Sequence, residues 1–263
     1  MPDRKIAIEF RNVSKTFGDR RVLDGVSLII EEGSIAVILG PSGTGKSVLL
    51  RCLVGLLEPD AGSEVIVYGV DVAALDQKRR LDREKLFKVR RRFGMLFQDG
   101  ALFDDMTVGD NIAFPMRQHG EGLGEAEIKR RVTDKLKRVG LAGAEGKMPS
   151  ELSGGMRKRA AFARAIALEP DFVLCDEPSS GLDPVMSATL DELILEMHRE
   201  LGIGFFVITH DTAEARLLGG KMGLLYRGRL VAPFDHTEKV LRSNHPAVRQ
   251  FFDRKQDGPI KVV

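Results

Sequence analysis

The sequence predicts an α/β fold: a mostly parallel sheet covered by helices on both faces, with an inserted helical lobe. Three observations lead there. Short apolar runs at residues 34–39, 172–175 and 205–209 alternate with stretches of helical period. Residues 40–47 read Gly-Pro-Ser-Gly-Thr-Gly-Lys-Ser and fit the pattern G-x-x-x-x-G-K-[ST] without a mismatch, between one such run and a helix-like segment. The run Phe172-Val173-Leu174-Cys175 ends in Asp176-Glu177, which puts two carboxylates at the carboxyl end of a strand, where open α/β sheets bind ligands.

Taken in order, Ile6, Ile8 and Phe10 alternate with Ala7 and Glu9, which predicts a strand with one buried face. Residues 22–30 give a second strand after the turn Phe17-Gly18-Asp19. Residues 34–39 form a buried strand, and residues 47–57 the helix that follows the glycine loop. Residues 64–68 make a short strand after the turn Pro59-Asp60-Ala61-Gly62. Residues 78–92 are dense in Lys and Arg with Leu81, Leu86 and Val89 between them, as in a solvated amphipathic helix; contact with anionic lipid headgroups is the alternative. From Asp99 to Leu168 the pattern is mostly helical, with a charged helix over residues 125–139 closed by Gly140. A strand at 172–175, a helix at 185–201 after Pro184 and a strand at 205–209 complete the alternation.

Composition narrows the function. With 40 Lys and Arg against 38 Asp and Glu, the chain lacks the basic excess of a nucleic-acid binder. Its length suits one large domain or two small ones. Cys52 and Cys175 both fall in apolar surroundings and read as buried thiols of a reducing compartment. No signal peptide is expected at the N-terminus, and no apolar run approaches the ~20 residues of a membrane helix. A membrane connection is therefore expected through a partner or through surface contact.

The glycine loop implies polyphosphate binding. Glycines let the backbone wrap closely, so that successive N–H groups point inward, and the helix N-terminus adds partial positive charge. Lys46 is expected to reach the β- and γ-phosphates and the Ser47 hydroxyl to ligate Mg²⁺. Asp176 is placed to hold Mg²⁺ through a water, and Glu177 to orient and deprotonate an attacking water; an acid pair at a strand end can also be a helix-capping turn. Leu152-Ser153-Gly154-Gly155-Met156 opens a helix rich in Arg and Ala. It is either a second anion site, serving a nucleotide bound by another subunit, or a plain N-cap at Ser153. Thr209-His210-Asp211 ends a strand on the presumed ligand edge, so His210 is read as a γ-phosphate contact. His119, His198, His236 and His245 show no ligand spacing.

Together these motifs resemble the ATP-binding-cassette ATPases over roughly residues 6–240. The resemblance implies a P-loop NTPase (RecA-like) parallel-sheet core with an N-terminal antiparallel β region, a cassette domain over residues 6–242 with its inserted helical subdomain at about 99–165, and a C-terminal extension at 243–263. It implies ATP bound by Phe17, stacked on adenine, by Gly40, Pro41, Ser42, Gly43, Thr44, Gly45, Lys46, Ser47 and Val48, and by Ser153, Gly154 and Gly155 of the signature. It further implies that Gln98 links the core to the helical lobe, touching Mg²⁺ and the attacking water; that Ser180-Gly181-Leu182-Asp183 crosses a dimer interface; and that His210 is the switch histidine. Two residues depart from the usual pattern: Met156 stands where Gln is common, and Phe17 where Tyr is common. Neither removes a γ-phosphate contact.

Within that family the chain is more similar to the Mla/Mce-type lipid-transport ATPases, on residues 95–108, Asn111-Ile112-Ala113-Phe114-Pro115, residues 148–156, residues 248–253 and Asp257-Gly258-Pro259. The residues alone place an apolar groove after Gln98. The resemblance implies that the groove receives a helix of a membrane permease, that two copies pair head to tail, that an Mce-domain protein joins them, and that the cargo is a phospholipid. The chain would then sit on the cytoplasmic face of the inner membrane, held through the permease. An ATPase for an amino acid or other small solute, or a soluble cassette protein of translation or DNA repair, are the alternatives; the single cassette and short lobe weigh against the last. In the tail, Val248, Phe251 and Phe252 have helical spacing after Asn244-His245-Pro246. This apolar face is expected to pack on the partner subunit, with packing on the chain's own core as the alternative.

Overall fold

The structure is a computed structural model that describes residues 5–261. It divides into two compact units: the residues up to Arg90 together with those from Phe206 onward, and Arg91–Phe205.

In the first unit β1 (Ile6–Phe17) pairs antiparallel with β2 (Arg20–Glu31) and with β4 (Glu64–Val67), which pairs in turn with β5 (Val70–Asp71). This is the expected antiparallel region. The alternation expected at its start does not hold, because Ile6 is 49% exposed while Ala7 and Ile8 are fully buried. The register with β2 shifts between Ile6 and Ile8, and a one-residue slip turns a side chain to the other face.

The other strands of this unit surround β3 (Ile35–Leu39), every residue of which is buried. β3 runs parallel to β9 (Lys221–Tyr226), and β10 (Arg229–Leu230) and β11 (Asp235–His236) pair antiparallel with β9. The order is β10-β9-β3-β8, where β8 (Gly204–Thr209) enters the unit at Phe206. Helix α1 (Lys46–Leu53) follows β3 and stops four residues before the sequence pattern suggests. Gly55 takes a left-handed backbone with φ 64°, and a Cβ there would lie 2.9 Å from Leu86 of α2 (Arg80–Arg90). Arg90 donates to the carbonyls of Val54 at 2.8 Å and Gly55 at 3.0 Å, so the chain end of α1 is satisfied by α2. Cys52 and Cys175 are both buried, as expected, and burial pushes the Cys52 thiol up to about 11, which keeps it neutral and unreactive.

In the second unit β6 (Phe93–Leu96) and β7 (Phe172–Asp176) pair parallel, from Phe93 opposite Phe172 to Leu96 opposite Cys175. Between them the chain forms α3 (Val108–His119), α4 (Glu125–Arg138), a short 3-10 turn and α5 (Gly154–Ala165), the helical stretch that the sequence pattern anticipates. Thr107 caps α3, accepting from Asp110 N at 3.0 Å. The fully buried Asn111 accepts from Phe103 N and donates to the carbonyls of Phe103, Met106 and Thr107, so one side chain fixes the loop ahead of α3. Helix α6 (Pro184–Leu201) begins with Pro184 behind the Asp183 cap and ends at Gly202, φ 67°.

The chain closes with α7 (Thr212–Leu218), α8 (Thr237–Leu241) and α9 (Pro246–Phe252). The expected tail helix is α9, and its Ala247 and Val248 are buried within the chain itself. The segment after it is tied back. Gln250 accepts from Ile260 N at 2.7 Å and donates to Ile260 O at 2.9 Å, while the Tyr226 hydroxyl accepts from Lys261 N at 2.9 Å and donates to Pro259 O at 3.2 Å. Phe251 and Phe252 keep part of their surface, with Arg216 over the Phe252 ring at 5.1 Å. Burial of Val248 and Ile260 contributes roughly 1.5–3 kcal/mol each. Deleting residues 245–263 is expected to lower the thermal midpoint of the monomer by at least about 5 °C, given about 2–4 °C per kcal/mol at this size. Calorimetry of the truncated chain checks this, and an unchanged midpoint would mean that these contacts contribute little.

Candidate functional site

The glycine loop belongs to the first unit. Its entry is fixed by β3 and β9: a Cβ at Gly40 would lie 2.3 Å from the Leu225 carbonyl oxygen, so only glycine lets the strand end turn there. Its exit is fixed at Gly45, which takes φ 105° as the N-cap of α1, with Val22 O and Leu23 so near that a Cβ would sit 2.9 and 2.8 Å from them. Thr44 Oγ1 donates to Pro41 O at 2.9 Å and holds the curl closed. Lys46 is 4% exposed, and its Nζ donates to the carbonyls of Gly40 at 2.7 Å and Pro41 at 3.1 Å. The ammonium thus sits inside the loop, beside the N-terminal N–H groups of α1, and Ser47 and Val48 are half-buried in the first turn of that helix. Phe17 ends β1 with 46% of its surface exposed, and Lys15 Nζ lies 5.5 Å from its ring centre. An exposed aromatic ring beside a cation is a stacking platform in search of a planar partner.

His210 follows β8, the neighbour of β3 in this unit, and is exposed. The next residues form a cap: Asp211 N donates to Thr209 Oγ1 at 2.9 Å, and Asp211 accepts from Ala213 N at 2.7 Å to start α7. The cap fixes the backbone on which His210 stands.

The remaining sequence-predicted residues belong to the second unit. Asp176 ends β7, and Glu177 adopts a left-handed backbone, φ 49°, which a residue with a Cβ rarely takes. Strain of this kind collects at functional sites, where the surroundings hold it in place. Here the Ser180 N–H donates to Glu177 O at 3.1 Å and closes the turn. Gln98, two residues beyond β6, donates through Nε2 to Ser180 Oγ at 3.3 Å, so the structure brings Gln98 and the 180–183 loop together. Ser153 is an N-cap, accepting from Met156 N at 3.3 Å; Gly154 and Gly155 begin α5, with the Met186 methyl close over Gly155. The capping role does not compete with anion binding, since the N–H groups of Gly154 and Gly155 remain unclaimed by the cap.

One residue that holds the candidate site together escapes sequence reasoning. Lys158, 6% exposed on α5, donates to the carbonyls of both Pro178 and Ser180 and so ties the signature helix to the loop after Glu177. In the sequence it is one more cation in an Arg- and Lys-rich helix, and no spacing rule separates it from its neighbours.

The apolar groove expected after Gln98 is present. Phe93, Met95, Phe97, Phe103, Phe114 and Pro115 are among its lining residues, and its volume is about 440 Å³. Phe97 and Phe103 are 40% and 41% exposed. Arg164 braces the groove: its guanidinium donates to Gly100 O at 2.8 Å and Ala101 O at 2.7 Å and lies 5.7 Å from the Phe103 ring centre. Burial lowers the Arg164 pKa below its ordinary value.

The chain belongs to the ABC transporter family, whose model matches residues 23–180. It is accordingly an ATP-hydrolysing transport cassette. It is 46% identical over 255 residues to the probable ribonucleotide transport ATP-binding protein mkl of Mycobacterium leprae, covering 97% of this chain and 71% of that protein. It is 43% identical over 254 residues to the intermembrane phospholipid transport system ATP-binding protein MlaF of Escherichia coli, covering 96% and 91%. Among solved structures, the dimeric post-hydrolysis state of the ATP-binding cassette MJ0796 bound to ADP and Pi matches with a TM-score of 0.76 and 30% identity, over 87% of this chain and 98% of that one. The cbiO1 component of the Clostridium perfringens cbiONQ transporter matches with a TM-score of 0.78 and 29% identity, over 90% and 91%. The P-loop NTPase fold inferred from the motifs is the fold of these neighbours.

Lys158→Ala is expected to remove two charge-assisted hydrogen bonds and to destabilise the chain by about 2–4 kcal/mol. Turnover should fall with little change in KM, because the loosened segment carries Glu177 and not the glycine loop. Denaturant unfolding with steady-state ATPase kinetics checks both, and wild-type kcat would remove Lys158 from the catalytic scaffold.

Proposed function

We propose that the chain is the ATPase subunit of a transporter that moves phospholipid in the cell envelope, working as a head-to-tail pair on the cytoplasmic face of the inner membrane. The observation that carries this reading is the 43% identity with MlaF along nearly the full length of both chains. The Haemophilus influenzae MlaF adds 41% over 97% of this chain and 93% of that protein. The mkl proteins are named for a different cargo, ribonucleotide, and are longer than the matched region. Among the described residues no helix is long and apolar enough to cross a membrane, so attachment is assigned to a permease. The Phe97–Phe103–Phe114 groove is the surface offered to a helix of that permease, and an Mce-domain lipid-binding protein is the further partner. The dimeric MJ0796 cassettes support pairing.

Each residue has a role in this reading. Residues 40–48 wrap the triphosphate, with Lys46 moving from the loop carbonyls to the β- and γ-phosphates, and Phe17 stacks on adenine. Ser47, Gln98 and Asp176 would be the oxygen donors for Mg²⁺, which would supply charge neutralisation. Hydroxyl, amide and carboxylate oxygens suit that ion, which keeps several waters and needs few protein ligands. Glu177 takes the proton of the attacking water, Gln98 orients that water, and His210 contacts the γ-phosphate. Ser153, Gly154 and Gly155 of the second copy close the site from the opposite side. The tail, residues 243–263, lies beyond the cassette domain at 6–242; its half-exposed Phe251 and Phe252 are what it has left to offer a second copy.

Glu177→Gln is expected to retain ATP binding and to lose about 10²–10⁴-fold in turnover, the usual cost of a missing general base. It should also accumulate an ATP-bound dimer visible in size-exclusion chromatography. A near wild-type rate would assign the base elsewhere. Ser153→Arg in one member of a defined mixed dimer should impair the site built on the other member's Lys46; full cooperative turnover would exclude the head-to-tail arrangement. Phe103→Asp should release the chain from its membrane subunits while leaving basal ATPase activity within about twofold, because the groove lies outside the groups assigned to hydrolysis. Affinity purification from membranes, with identification of the co-purifying subunits and the bound lipid, tests the cargo directly. Recovery of a permease without phospholipid would favour a small solute.

A further inference from the structure

We propose that the outward face of α2 is a membrane-contact surface, which attaches the chain directly to bilayers bearing anionic phospholipid. Residues 78–88 hold six basic side chains against two acidic ones, whereas the whole chain of 263 residues has a net charge of only +2. These residues therefore carry +4, and the rest of the chain together −2. Lys78, Arg79, Arg80, Arg83, Lys85 and Lys88 are all exposed. Arg80 pairs with Glu84 and Lys85 with Asp82, and among the described residues Lys78, Arg79, Arg83 and Lys88 make no ion pair.

The helix is anchored by its other side. Leu86 and Val89 are buried, and Arg90 is committed to the carbonyls of Val54 and Gly55. On the half turned away from Leu86 and Val89, Leu81 is 68% exposed and Phe87 45% exposed among the cations. A face that served only solubility would account for the charges and not for a leucine and a phenylalanine set between them. Basic residues flanking exposed Leu and Phe are what an interfacial helix presents to an anionic surface: the apolar groups enter the headgroup boundary while the cations pair with lipid phosphates. The bilayer is the occupant that complements both features. Neither the glycine loop, the acidic strand end nor the Phe97–Phe103–Phe114 groove draws on these residues, so this contact is additional to attachment through a permease and holds for any cargo.

The test uses the purified full chain and two sets of vesicles, phosphatidylcholine alone and phosphatidylcholine mixed with phosphatidylglycerol. Co-sedimentation is expected with the mixed vesicles only, and it should weaken as salt is raised. Each basic residue at such a surface strengthens binding about fivefold. The triple variant Arg79→Gln, Arg83→Gln, Lys88→Gln is therefore expected to lose at least tenfold in vesicle affinity while keeping its ATPase rate within about twofold. Leu81→Ser, which leaves every charge in place, should also weaken binding, and so separates insertion from simple charge attraction. Binding of the wild-type chain to neither set, equal binding to both, or wild-type affinity in the triple variant would each overturn the proposal. Because ATP hydrolysis is measured on the same samples, failure here is distinguishable from failure of the transport reading.

Discussion

The pairing of β3 with β9 is the constraint on which the nucleotide-binding half rests. The parallel register, from Ala36 opposite Lys221 to Leu39 opposite Leu224, carries Gly40 against the Leu225 carbonyl with no room for a side chain. The loop that follows can then leave the sheet in one direction only. Gly45 repeats the device at the other end, against Val22 and Leu23 of β2. Two close approaches, both made by backbone or by buried aliphatic groups, thus fix the ends of a loop whose middle, Ser42 and Gly43, is exposed. Such a loop is stiff where it meets the core and open where a phosphate would enter, which is the preorganisation that electrostatic binding requires.

The second unit obtains its rigidity differently, through polar side chains that reach across loops. Lys158 holds the carbonyls of Pro178 and Ser180, Arg164 those of Gly100 and Ala101, and Asn111 those of Phe103, Met106 and Thr107. Each binds irregular backbone that has no ladder or helix to satisfy it, and a buried carbonyl without a partner is expensive. The result is a chain of fixed segments. The signature helix grips the loop after Glu177 through Lys158 and the loop after Gln98 through Arg164, and α3 grips the same region from its other side through Asn111. The loops after Gln98 and Glu177 and the groove formed by Phe97, Phe103 and Phe114 are thus braced by shared helices within one unit. Under the proposed function this arrangement is useful, since hydrolysis would have to be felt where the permease docks.

The basic helix α2 and the tail illustrate surfaces that the site does not explain. α2 is pinned by Leu86, Val89 and Arg90, and the cations of its other half are exposed. Gln250 folds the end of the tail back onto α9 and Tyr226 ties it to β9, yet Phe251 and Phe252 stay half-exposed, with Arg216 over Phe252. The first is a cationic surface and the second an aromatic one, so they suit different partners.

The sequence by itself pointed to the candidate site residues and determined most of the elements. Gly-Pro-Ser-Gly-Thr-Gly-Lys-Ser, Asp176-Glu177 and Ser153-Gly154-Gly155 are legible because each function depends on residue type at fixed local spacing. Buried strands such as β3, β7 and β8 are legible because their apolar runs are short and uninterrupted. Tertiary structure decided the rest. Ile6 faces solvent because pairing with β2 slips, a property of two strands and not of one. Helix α1 ends early because Gly55 meets Leu86 of a helix some thirty residues later in the chain. The positive φ at Glu177 cannot be read from its identity, since the turn imposes it. Lys158, Arg164 and Asn111 look like ordinary helical residues until the loops they hold are folded beside them. Local spacing encodes chemistry; long-range contacts alone reveal which polar side chains carry irregular backbone, because their partners lie up to 64 positions away.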